Sequence, residues 1–317
     1  MAEPLQDRLK QIFEEAERND ELQCVRGYVL EGEVKEGGMG AVCRIKHRVS
    51  GGLAAIKVMR PSFAVTDDAT KLFHREIQLA STLNHPNVVR VYASGYAHGV
   101  LFLVMEYCDG GSVFDLIGEQ GGRLDVDTAV EFTIQALSGL EYLHHASLER
   151  VELVGGERTE AHGLVHRDLK PQNLLLVRRD SSLVVKVSDF GLSKAYDLAG
   201  WSGVTITGEA WGTPEFISRE QLANYKYAEP RVDVWSAAAC LYNMITGAYP
   251  RNFCAGGDKF LAVRNNSPIP IRQRMASVPA RLAEIIDKAL AEEGKPGPLC
   301  TAAGLKFALQ GSGNRDG

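Results

Sequence analysis

The 317-residue sequence is poor in several things. It has six cysteines (Cys24, Cys43, Cys108, Cys240, Cys254 and Cys300), and no two form a C-x-x-C pair. That argues against a disulfide framework or a zinc knuckle and predicts a reducing, cytoplasmic setting. No run of about 18 apolar residues exists, so no membrane-spanning helix is expected. Residues 1–20 carry charges and no apolar core segment, unlike a secretory signal. Basic residues are not in excess: 35 Lys and Arg stand against 40 Asp and Glu, a net charge of −5. No bulk positive field therefore points to nucleic acid. A G-x-x-x-x-G-K-[ST] loop is absent, because Gly294-Lys295 is followed by proline. No internal repeat of fixed period is present.

What is there is ordinary globular material, 45% hydrophobic and 24% charged. The length allows one large domain or two modest ones. Residues 4–18 place Leu5, Leu9, Ile12 and Phe13 at near-helical spacing. Apolar alternation over 28–34, 41–45 and 53–59, broken by glycines, predicts antiparallel strands with tight turns. A helix over 67–83 follows, then strands at 88–92 and 100–106. Beyond Asp109-Gly110-Gly111 the pattern turns mostly helical. Helices are predicted over 125–144 and 279–291, with an almost wholly apolar, buried one over 233–246. The seam between the strand-rich and helix-rich parts falls at 106–111, and such seams often carry ligand sites.

The chemistry sits in a few short stretches. Gly37-Gly38-Met39-Gly40 reads as a plain hairpin turn, or as a loop whose N–H groups approach phosphate oxygens. Lys57 closes the apolar run Ala55-Ile56-Lys57. It is either a solvated strand end or a lysine held over a phosphate by a carboxylate, for which Glu76 is the candidate. His166-Arg167-Asp168-Leu169-Lys170-Pro171-Gln172-Asn173 changes the balance. Asp168 can accept or orient a hydroxyl proton, Lys170 can neutralise a phosphoryl group, and Asn173 can offer Mg²⁺ a carbonyl oxygen. Asp189-Phe190-Gly191 supplies a second carboxylate.

In this order the motifs resemble the protein kinase family, over residues 27–309. Gly212-Thr213, Glu220 and Asp233-Val234-Trp235-Ser236 continue the likeness. The resemblance implies an α+β, bilobal fold. It has an antiparallel five-stranded N-lobe with one main helix (27–108) and a helical C-lobe (109–309). A helical extension over 1–26 and a disordered tail over 310–317 flank it. It also implies a catalytic set of Asp168, Lys170, Lys57, Glu76 and Thr213. ATP would be held by Lys35, Glu36, Gly37, Gly38, Met39, Gly40, Val42, Ala55, Lys57, Leu175 and the hinge residues Met105, Glu106 and Cys108. Asn173 and Asp189 would hold Mg²⁺, with Mn²⁺ as a substitute. Lys170 and Thr213 match the serine/threonine subclass, and the glycine turn resembles bacterial members. The implied activity is transfer of the ATP γ-phosphoryl group to Ser or Thr of protein substrates, with autophosphorylation at Ser202, Thr205 or Thr207. A nucleotide-binding pseudokinase scaffold is the alternative.

The sequence also departs from the family. Lys35 stands where the first loop glycine belongs, and A-P-E is Ser218-Arg219-Glu220. The arginine that usually pairs with that glutamate would fall near Leu299. Unless Arg219 or another cation substitutes, a buried Glu220 would lose its partner, at a cost of several kcal/mol. Residues 146–161 are an insertion, read as a solvated surface loop or as a small hairpin about Gly155-Gly156. His74, His98, His144 and His145 show no metal spacing and read as surface or half-buried residues.

Overall fold

The computed structural model describes residues 5–37, 40–59, 80–152, 158–190, 213–254, 256–292 and 297–312. The described residues divide into two compact units, with the boundary at Asp109/Gly110 and with 85–88 belonging to the second. Of the helix expected over 67–83, only its end at Ala80 and Ser81 lies within the described residues.

The first unit is helix α1 (Leu5–Ala16) and a sheet. The strands are β1 (Tyr28–Leu30), β2 (Lys35–Gly37), β3 (Gly40–His47), β4 (Leu53–Met59), β5 (Val91–Ala97) and β6 (Val100–Glu106). Every pairing is antiparallel, in the order β1-β3-β4-β6-β5. β2 pairs with β3 beyond β1, so β1 and β2 occupy one interrupted strand position and the sheet has five. β5 begins later than the sequence predicts. Val88 instead makes an isolated bridge to Val187, and Gly95 lies inside the strand. A Cβ at Gly95 would meet the Phe102 ring at 2.1 Å, so a glycine at this position is what lets β5 lie against β6.

Strand alternation gives the sheet one face made of Ala41, Cys43, Ile45, Ala54, Ile56, Val58, Phe102 and Val104. Leu9, Ile12, Phe13 and Ala16 of α1 share that core cluster, and Leu9, Ile12 and Ala16 are fully buried. They recur at i, i+3 and i+7, the spacing of one helical stripe. Lys57 alternates with Ile56 and Val58 and so lies on the opposite face. A 12-residue helix is marginal alone in water, so α1 depends on the sheet for its own helicity.

The second unit is built around α5. Its helices are α2 (Val113–Glu119), α3 (Val126–His144), α4 (Arg219–Ala223), α5 (Arg231–Thr246), α6 (Lys259–Asn265), α7 (Ile271–Arg274), α8 (Ala280–Ala289) and α9 (Ala302–Gln310). Every residue of α5 from Val232 to Ile245 is buried, as its all-round apolar sequence predicts. α3, capped by Asp125, packs on α5 and α9. α9 runs to Gln310, a residue the sequence reading had assigned to the tail. The insertion forms two antiparallel strands, β7 (Ser147–Glu152) and β8 (Arg158–His162), rather than an unstructured loop. A further hairpin, β9 (Leu174–Arg179) with β10 (Ser182–Val187), lies in the part expected to be mostly helical.

Burying a Leu or Ile side chain is worth about 1.5–3 kcal/mol. Ile12→Asp should therefore cost the first unit at least about 2 kcal/mol, seen as a lower urea midpoint, and Glu14→Gln on the exposed side should change little. Equal midpoints for the two variants would show that α1 is not part of this core.

Candidate active site

The site residues of the second unit are organised by one buried carboxylate. Asp233 lies in the first turn of α5 and is fully buried. Its Oδ2 accepts the backbone N–H of His166 at 2.7 Å, and Oδ1 accepts that of Arg167 at 2.8 Å. His144, at the end of α3, reaches Oδ2 with Nε2 at 2.8 Å. Burial alone would raise the Asp233 carboxyl, but these hydrogen bonds and the two histidines hold it below the usual carboxylate range. The His144 side chain is only 5% exposed, while the residue as a whole is half-buried, within what the sequence leads one to expect. A buried carboxylate demands partners, and the nearest histidine supplies one.

The loop after His166 is then set residue by residue. His166 is fully buried; its Nδ1 accepts the Asp168 N–H at 3.2 Å, so Nε2 is the donor to Ser188 O at 2.7 Å. Arg167 has φ +67°, a left-handed conformation that a β-carbon disfavours. It is held there by Asp233 on its N–H and by Gln221 Nε2, which donates to its carbonyl at 2.5 Å. Asp168 emerges 8% exposed. Its Oδ2 lies 2.9 Å from Lys170 Nζ, which donates to Thr213 Oγ1 at 2.8 Å. Thr213 closes the ring, its N–H donating to Asp168 Oδ1 at 3.2 Å.

Asn173 donates Nδ2 to the Asp168 carbonyl at 2.7 Å and approaches Oδ2 at 3.3 Å. The nitrogen is committed inward, so the amide's acceptor is Oδ1. The β9–β10 hairpin pairs Leu174 with Val187, and Ser188 donates both N–H and Oγ to Asn173 O at 2.9 and 3.0 Å. That returns the chain beside Asn173 just before Asp189, which has φ +60°. Sequence reasoning missed this hairpin, although Leu174-Leu175-Leu176-Val177 and Leu183-Val184-Val185-Lys186-Val187 about Asp180 signal it. Leu175, on β9, is half-buried.

The first unit carries the other named residues. Lys57, in mid-ladder opposite Val42 and Leu103, is 6% exposed, which rules out a solvated strand end. Lys35 pairs with Val42, Glu36 with Ala41 and Gly37 with Gly40. Gly40 has no room for a side chain, since a Cβ would stand 1.9 Å from Val58 O. Ala55 and Met105 are paired and buried. Glu106 donates its N–H to Arg90 O at 2.8 Å, and Cys108 is half-buried. Gly38, Met39, Glu76, Ser202, Thr205 and Thr207 lie outside the described residues. Among the described residues no three His, Cys, Asp or Glu side chains form a metal cluster, and no helix is long and apolar enough to cross a membrane.

Removing a buried, multiply bonded charge costs about 3–5 kcal/mol. Asp233→Ala should lower stability by that order in urea melts. A carboxyl with a lowered folded value stabilises fully above its unfolded value near 3.8 and loses that contribution as pH falls through the folded value. The difference between wild type and Asp233→Ala should therefore be flat above pH 5 and shrink below about pH 4. A difference that grows on acidification would contradict an ionised Asp233.

Known proteins match this arrangement. The family profile described as protein kinase domain matches residues 28–293. A probable serine/threonine-protein kinase of Clostridium perfringens is 30% identical over 280 residues, 87% of this chain and 36% of that protein. The rice serine/threonine protein kinase OSK3 is 32% identical over 228 residues, 72% of this chain and 40% of that protein. The chain thus spans well under half the length of these relatives. Among solved structures, a double mutant of the Mycobacterium tuberculosis PknI kinase domain has a TM-score of 0.66 at 21% identity, covering 92% of this chain and 96% of that one. Rad53 in complex with AMP-PNP has a TM-score of 0.66 at 24% identity, covering 90% and 67%. With both the ordered motifs and the buried Asp233 scaffold in place, this chain belongs to the protein kinase domain family and has its fold.

Proposed function

We propose that the chain is an ATP-dependent protein kinase acting on Ser and Thr hydroxyls. The observation that carries this reading is the closed ring Asp168–Lys170–Thr213, with Asn173 donating into it. Asp168 is aimed by Lys170, Thr213 and Asn173, and its side chain keeps 9% exposure, the edge at which a substrate hydroxyl would arrive. Lys170, beside it, places a cation where a transferring phosphoryl group gains negative charge. Such transfer needs little covalent help, so positioning and charge neutralisation supply most of the catalysis. Both named relatives are called serine/threonine kinases, and Rad53 was solved with an ATP analogue.

Asn173 Oδ1 and the Asp189 carboxylate are hard oxygen donors, which suit Mg²⁺, or Mn²⁺ in its place. Two protein donors, with no third acidic partner among the described residues, fit an ion whose remaining ligands are water and nucleotide phosphate. When bound, the ion would neutralise charge between the β- and γ-phosphates. Lys57, buried at its strand position, would hold the α- and β-phosphates, and the backbone at Glu106 and Cys108 would bind adenine. Gly37, Gly38, Met39 and Gly40 would cover the phosphates, with Lys35, Glu36, Val42, Ala55, Met105 and Leu175 lining the same nucleotide. Glu76 would pair with Lys57. Lys35 keeps the regular ladder with Val42, which favours an active enzyme over the scaffold reading.

In an assay with labelled ATP, Mg²⁺ and a generic basic protein, Asp168→Asn should lower incorporation about 10²–10⁴-fold with ATP affinity nearly kept. Incorporation equal to wild type would refute the role of Asp168. A wild type that binds ATP and transfers nothing would favour the scaffold. Mass spectrometry after incubation with Mg-ATP should find phosphate on Ser202, Thr205 or Thr207; an active enzyme with all three unmodified would rule out autophosphorylation there.

A further inference from the structure

One buried ion pair in the second unit is announced by no motif. Arg251 is the bulkiest fully buried side chain among the described residues. Its guanidinium meets the Glu292 carboxylate, and the two side chains are 1% and 6% exposed. It stacks on Trp235 at 4.6 Å, and Trp235 donates Nε1 to Leu290 O at 3.1 Å. Three further contacts of the pair go to backbone. Arg251 Nη1 donates to Ile217 O at 3.0 Å and Nε to Asn266 O at 2.9 Å. Glu292 Oε1 accepts the Arg219 N–H at 2.7 Å, and its Oε2 lies 3.3 Å from Arg219 Nε. The pair therefore grips the chain on both sides of Ser218, the residue that caps α4.

The gripped segment starts at Thr213, which contacts Asp168. Glu215 is paired with Lys259 at 2.6 Å, and Ser236 donates Oγ to Phe216 O at 2.7 Å. From Thr213 to Arg219, the segment is fastened to α5 and the chain after α8 through its backbone and to α6 through the Glu215 side chain.

Glu220, by contrast, does not have the setting the sequence reading gave it. It is not buried but 36% exposed, and it pairs with Arg231 at 2.6 Å across the surface. Leu299, near where a partner arginine was expected, lines a cavity of about 320 Å³ together with Glu220, Trp235 and Glu292. Surface pairs of this kind contribute little to stability.

We propose that Arg251 and Glu292 are the positioning pair that fixes residues 213–219, the platform beside Asp168, and that Glu220 is dispensable for it. The word platform rests on the kinase reading; the pair and what it grips do not. Neither residue touches a reacting group. They act through the backbone of Ile217 and Arg219, so their loss should show in how peptide is received and not in how nucleotide is bound.

Three variants of the full chain test this: Glu220→Gln, Glu292→Gln and the double variant Arg251→Met/Glu292→Met. Melting temperature, amide exchange over residues 216–222, and KM for a Ser/Thr peptide and for ATP are read for each. Glu220→Gln should melt within about 2 °C of wild type. Glu292→Gln leaves Arg251 buried without a counter-charge and should melt about 6–12 °C lower. The double variant replaces the pair with apolar side chains, so it should regain most of that loss. It has nothing to bond Ile217 O or the Arg219 N–H. Its exchange at 219–222 should stay about tenfold faster than wild type, with peptide KM raised about tenfold and ATP KM unchanged, each a factor equivalent to one lost hydrogen bond to a charged group. Glu292→Gln as silent as Glu220→Gln would overturn the proposal, as would wild-type exchange at 219–222 in the double variant. Exchange and melting need no activity. If the wild type transfers no phosphate, the kinase reading fails while these two readouts still judge the pair.

Discussion

A single carboxylate without access to water governs the second unit. Asp233 stands in the first turn of a helix that is otherwise buried and almost wholly apolar, where an ionised group is tolerated only with full hydrogen bonding. Its partners are two consecutive backbone N–H groups and one imidazole. Satisfying Asp233 therefore dictates the conformation of His166 and Arg167, including the left-handed turn at Arg167. Asp168 is the next residue, so the direction in which its carboxylate emerges follows from a charge that never meets solvent. The direction of Asp168 and the stability of the core are here one constraint.

Around that anchor the unit is fastened at successive distances. His166 ties the loop to Ser188 and so to Asp189; Asn173 ties it to the β9–β10 hairpin; Thr213 ties it to the segment that runs to α4. Arg251 and Glu292 complete the outer end. Each link uses a backbone group at one end. Such links fix position without depending on long mobile side chains, and they leave the side chains of Asp168, Lys170 and Asn173 for chemistry. The first unit uses a different device: α1 covers one face of the sheet, and Lys57 is held on the other.

The parts legible in the sequence were those where chemistry and pattern coincide. The H-R-D-L-K-P-Q-N stretch, the strands through β4 and β6, and the buried α5 all follow from residue type and period. β5 runs over Val91–Ala97 where a strand over 88–92 is expected, and the fit of Gly95 against Phe102 that allows this is a cross-strand contact that no local pattern shows. The β9–β10 hairpin was overlooked because a continuous apolar run such as 174–177 does not declare its period. The pairing of His144 with Asp233 is invisible to local pattern, because the two lie 89 residues apart. Glu220 was assigned a buried role by analogy, but the buried pair uses Arg251 and Glu292, which lie 41 residues apart and match no motif.

The central claim is that Asp233 is buried, ionised and hydrogen-bonded, and that the loop before Asp168 is built on it. Carboxyl ¹³C NMR of aspartate-labelled protein, followed through acid titration of the folded state, tests it most directly. The account predicts that the Asp233 signal remains that of a carboxylate at and below pH 3.8, the ordinary aspartate value. A signal that protonates above that value would mean that burial outweighs the hydrogen bonds, and the loop would need another anchor.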